Sequence, residues 1–64
     1  MTPQIITDFF EHTHHRCTLV NWELTDGSVY FLFDNNKHER KNERDNYPIV
    51  DVLQFIYEKA LARP

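Results

Sequence analysis

The sequence predicts an α+β domain in the order helix, antiparallel β-hairpin, polar loop, helix, with both helices packed on one face of a small sheet. Three observations predict it. An apolar stripe at helical spacing opens the chain, an Asp-Gly pair sits between two alternating apolar runs, and a longer helical stripe closes it. Sixty-four residues suffice for one core and not for two, so residues 1–64 read as a single domain.

The first helix is expected at about residues 3–14. Thr2-Pro3 reads as a helix start, with Thr as N-cap and Pro at the first helical position, where its missing N–H costs nothing. Ile5, Ile6, Phe9 and Phe10 then recur on one side, while Asp8 and Glu11 lie off it. The histidines and Arg16 near its end suit the negative end of the helix dipole.

The hairpin, about residues 17–34, carries the strongest local signal. Asp26-Gly27 favours a type I′ turn, which needs two residues at positive φ. With those two as the loop, Thr25 faces Ser28, Leu24 faces Val29, Trp22 faces Phe31 and Val20 faces Phe33. The last six share one sheet face, because strand side chains alternate. Leu19, Asn21, Glu23, Tyr30, Leu32 and Asp34 form the other, mixed face.

From Asp34 to Asn46 there is no apolar side chain, so residues 35–46 are expected as a charged loop or short helix, with a polar edge strand over residues 37–44 as the alternative. As a helix, capped by Asn35 or Asn36, the segment would align Lys37, Arg40, Lys41 and Arg44 on one face. The second helix is expected at about residues 48–62, opened by Pro48. Ile49, Val52, Leu53, Ile56, Tyr57 and Ala60 follow helical spacing, with Val50 and Leu61 widening the stripe on one flank and Phe55 on the other. That arc is broader than one small sheet can cover. The Phe55 flank is expected to stay outside the core, near Asp51 and Lys59.

The order helix, strand, Asp-Gly, strand is similar to the opening of an Sm-like barrel. The polar segment and the closing helix leave no room for that barrel's later strands, and the resemblance implies no function here.

Composition removes several function classes. Net charge is −3, and residues 1–36 hold Asp8, Glu11, Glu23, Asp26 and Asp34 against Arg16 alone. An acidic body disfavours generic nucleic-acid binding, where neutralised phosphates supply most of the affinity. No apolar run approaches the roughly 18 residues that span a bilayer, and Met1-Thr2-Pro3-Gln4 lacks the basic region of a signal peptide. With one cysteine, Cys17, no internal disulfide forms, and a cytoplasmic, reducing compartment is expected.

His12, His14, His15 and Cys17, with Asp8 a turn before His12, carry the only metal-ligand chemistry. Their spacing fits no four-ligand frame, and histidines at a helix end have a structural explanation, so no metal is expected. Cys17 beside His15 or His38 suggests a nucleophile and base, but a thiol next to a strand is ordinarily a small buried hydrophobe. There is no Gly-rich phosphate loop, no G-x-S-x-G and too little chain to enclose a substrate. Neither a cofactor nor catalysis is expected.

What remains is binding. The sequence reads as a small acidic protein-binding module, an inhibitor or adaptor of a size and charge frequent in phages and mobile elements, acting by occupying a partner's surface. The expected contact residues are Phe55, Lys59, Asp51, Tyr30 and Glu23. The partner is another protein, with a basic nucleic-acid-binding one suiting the acidic half, or a second copy of the chain. The alternative is a nucleic-acid-binding protein using Lys37, Arg40, Lys41 and Arg44, with tyrosines nearby to stack on bases.

Overall fold

A computed structural model describes residues 4–36 and 40–62, with the side chains of Arg40 and Lys41 excepted. Helix α1 spans Gln4–Thr13, strands β1, β2 and β3 span Cys17–Thr25, Ser28–Asn35 and Arg40–Pro48, and helix α2 spans Ile49–Leu61. The three strands form one antiparallel sheet in the order β1-β2-β3, so the domain is α+β. The expected Thr2-Pro3 helix start lies outside the described residues.

The turn chemistry sets the sheet. Asp26 and Gly27 both have positive φ, 52° and 74°, as a type I′ turn requires. Thr25–Ser28, Leu24–Val29 and Trp22–Phe31 pair as the turn dictates. Further from the turn the expected register fails. A bulge at Val20 shifts the ladder, and Leu19, not Val20, lies opposite Phe33. The extra residue lets Leu19 pack against the core and leaves Val20 exposed. Leu24 departs from expectation too: it lies opposite buried Val29 yet is more than half exposed, because β1 is an edge strand.

Residues 40–46, expected mainly as loop or short helix, form the edge strand β3 together with Tyr47 and Pro48, which were expected to open the second helix. The physical reason is β2. Its Val29, Phe31 and Phe33 are buried, so its backbone N–H and C=O groups need partners along both edges. The polar segment supplies them by main-chain pairing, which leaves no hydrophobic pattern in the sequence. Tyr47, Asp45 and Glu43 lie opposite Val29, Phe31 and Phe33. Towards the start of β3 a second bulge is held by Asn42, at φ 59°, whose N–H donates to Asp34 Oδ1 at 3.0 Å.

The core is Ile6, Phe9 and Phe10 from α1, Val29, Phe31 and Phe33 from β2, and Val52 from α2. Phe10 meets the rings of Phe31 and Phe33 edge-on at 5.1 and 5.5 Å. Such pairs contribute about 0.5–1.5 kcal/mol each beyond their burial. Trp22 is half-buried and packs against this cluster. Helix α2 starts without a side-chain cap. Its first N–H, that of Ile49, instead donates to the Gly27 carbonyl of the hairpin turn at 2.8 Å.

A candidate interaction surface on α2

An α-helix advances about 100° per residue, so the apolar arc of α2 from Phe55 round to Leu61 covers roughly 240°. Only part of it is used inside the domain. Val52 is buried, and Ile49 and Phe55 pack against the core half-buried. Val50, Leu53, Tyr57 and Leu61 are 62%, 55%, 61% and 67% exposed, and Ile56 and Ala60 border them, also exposed. Four large apolar side chains therefore line the side of α2 turned away from Val52.

This reverses the expected placement of Phe55. Its ring lies edge-on to Phe9 at 5.5 Å and 5.1 Å from the His12 ring, with Lys59 Nζ 5.2 Å above it. The flank carrying Phe55 faces α1 and the opposite flank faces solvent. The breadth of the arc was legible in the sequence. Which edge faces inward was not, because that depends on where α1 lies.

The stripe is uncharged. Along one side runs Gln54, whose Nε2 donates to Glu58 Oε2 at 3.0 Å, and Asp51 lies exposed beyond them. Of the expected contact residues, Phe55, Lys59 and Asp51 are thus on the core and polar sides of α2. Tyr30 and Glu23 are cross-strand neighbours elsewhere, on the sheet face opposite the Val29–Phe31–Phe33 side. There they line a shallow cleft of about 170 Å³ with Asn21, Leu32 and Arg44.

The helical basic face expected at 37–44 does not form, since β3 is extended. Lys37 lies outside the described residues, as do the side chains of Arg40 and Lys41. Arg44 is exposed on the outer sheet face, paired with Leu32 and near Tyr30.

The histidines diverge. His12 lies on Phe55 and His15 is exposed. His14 turns into the domain with its side chain only 9% exposed. Its ring stacks flat on Phe10 at 4.7 Å and meets the edges of Phe33, Tyr47 and Phe31 at 4.6, 5.9 and 6.0 Å. Nδ1 is 2.7 Å from Thr13 Oγ1, and Nε2 is 3.1 Å from Asp45 Oδ2. This cluster ties the end of α1 to β3, which sequence spacing does not reveal. Tyr47 borders it, and burial pushes its phenol above the usual value. A hydrogen bond with Thr13 works the other way, and Asp45 reinforces the rise. The Cys17 thiol donates to the His15 carbonyl at 3.7 Å. Among the described residues, no three His, Cys, Asp or Glu side chains converge as a metal site would need. No described helix is long and apolar enough to cross a membrane.

The strand edges are partly closed from within. On β1 the Trp22 N–H donates to Asn21 Oδ1 at 2.9 Å, next to the Val20 bulge. On β3 the Asn46 N–H donates to Asp45 Oδ1 at 3.0 Å. Both devices discourage sheet extension by another chain.

Compared with known protein families, curated proteins and solved structures, the chain matches none of them.

Proposed function

We propose that the chain is a small acidic protein-binding module, an inhibitor or adaptor that acts by contact and carries out no reaction. The observation that carries this reading is the exposed stripe Val50, Leu53, Tyr57 and Leu61 on α2. Side chains of this kind in one uncharged row are suited to burial against another protein, and an aromatic among them is a natural anchor. The reading includes both helices on one face of the sheet, supported by Val52 joining Phe9, Phe10 and Phe31 in a single core. The acids of the first half, Glu23 and Asp26 among them, would steer a basic protein towards the module.

The test is capture by the immobilised chain from its native host, read by mass spectrometry. Leu53→Asp should keep its circular dichroism spectrum and lose the captured proteins. An unchanged set of captured proteins would mean that the stripe is not the binding surface.

A second reading rests on the outer sheet face, where Arg44 and Tyr30 share a cleft and offer a phosphate contact and a stacking ring. Glu23 in the same cleft opposes it. Salt separates the two readings. No binding to single- or double-stranded DNA or RNA is expected near about 150 mM salt. Micromolar binding there, lost in Arg40→Ala/Arg44→Ala, would put the second reading first.

A further inference from the structure

We propose that the occupant of the α2 stripe is a second copy of this chain, with the two α2 helices packed antiparallel about a two-fold axis. This rests on the stripe being a protein-docking surface and names what docks there.

Area is the first argument. At roughly 150–200 Å² for a fully exposed large apolar residue, Val50, Leu53, Ile56, Tyr57 and Leu61 together leave about 500 Å² uncovered. Two such faces closed on each other bury about 1,000 Å², the threshold for a specific interface, before any rim contact is added. Gln54, Ala60 and Glu58 supply that rim.

Charge is the second. A two-fold pairing of molecules that each carry −3 requires a contact free of like charges, and the stripe has none. In an antiparallel register centred between residues 55 and 56, Val50 of one copy lies level with Leu61 of the other, and Leu53 lies within one residue of the level of Tyr57. On the polar flank Gln54 falls within one residue of the level of Glu58 of the other copy, near enough for the two side chains to hydrogen-bond. Antiparallel helices also oppose their dipoles favourably.

The third argument is the need for burial. Seven buried side chains form the described core of a 64-residue chain, and domains of this size commonly gain stability by oligomerising. Sheet extension is discouraged on β1 by the bulge and the Asn21 hydrogen bond, so the helix is the open route. Pairing through α2 leaves the outer sheet face with Glu23 and Tyr30 free on each copy.

The experiment is light scattering and sedimentation of the purified full chain over a concentration series. A dimer is expected at about 100 µM, and Leu53→Asp should weaken it by at least about a hundredfold with the fold retained. Val50→Glu and Leu61→Lys should each weaken association. The two substitutions combined in one chain should recover at least about tenfold, because each new Glu meets a new Lys across the axis. A double variant no better than the singles overturns the antiparallel pairing. A dimer that Leu53→Asp leaves intact overturns the inference, since its interface lies elsewhere. A chain monomeric at that concentration overturns it as well. If Leu53→Asp still abolishes capture from the host, the docking reading survives with a different protein on the stripe. If capture is also unchanged, both fall.

Discussion

Replacing His14 separates two ways in which α1 is held to the sheet. The ring is nearly buried, stacked on Phe10 and edged by Phe33, Tyr47 and Phe31. Its two nitrogens reach Thr13 and Asp45. His14→Ala removes both kinds of contact and leaves a cavity between α1 and the sheet, at a cost of about 3 kcal/mol by analogy with large-to-small core changes. His14→Phe keeps a flat ring and loses only the polar ends. Neither former partner is then stranded. Thr13 Oγ1 still lies 3.0 and 3.1 Å from the Phe9 and Phe10 carbonyls. The Asp45 side chain is 46% exposed and accepts the Asn46 N–H. With water available to the rest of the carboxylate, His14→Phe should cost about 1 kcal/mol or less. A domain of this length has roughly 3–10 kcal/mol in total, so His14→Ala removes about three-tenths of it or more. Urea denaturation followed by Trp22 fluorescence, with a common slope for the three proteins, gives both values. Equal losses for the two variants would refute the reasoning, since the polar tie and not the ring stack would then hold the site.

Two further outcomes follow from single residues. Arg16 is exposed at φ 65°, a conformation costly for any residue with a Cβ, so Arg16→Gly should raise stability by about 0.5–1 kcal/mol in the same assay. A loss would show that the Arg16 side chain makes a contact worth more than the strain. The raised phenol of Tyr47 means that the unfolded chain gives up that proton first as pH rises. The stability it contributes is therefore complete below the ordinary tyrosine range near about pH 10 and is lost above it, towards the folded value. Tyr47→Phe should remove that part of the alkaline decline, and an unchanged profile up to about pH 11 would count against a buried, Asp45-facing phenol.

The sequence by itself determined the two helices, the hairpin and its turn, because each is written in local terms: a 3.6-residue stripe, a two-residue alternation, two positions that tolerate positive φ. It also determined that α2 is more apolar than one sheet requires. The tertiary structure decided what local signals do not carry. Strand β3 exists because β2 needs main-chain partners on its second edge, and backbone pairing asks nothing of side chains, so β3 could be polar from Arg40 to Asn46, with only Tyr47 and Pro48 departing from that at its end. The Val20 bulge moved Leu19 into the place that turn geometry assigns to Val20, because packing near α1 outweighed the register set by a turn several residues away. Phe55 went inward, and Leu53, Tyr57, Val50 and Leu61 stayed out, because Phe9 and His12 stand on one side of α2. Periodicity fixes which residues share a face of a helix. Only the neighbour that arrives from elsewhere in the chain fixes which part of a broad face is covered.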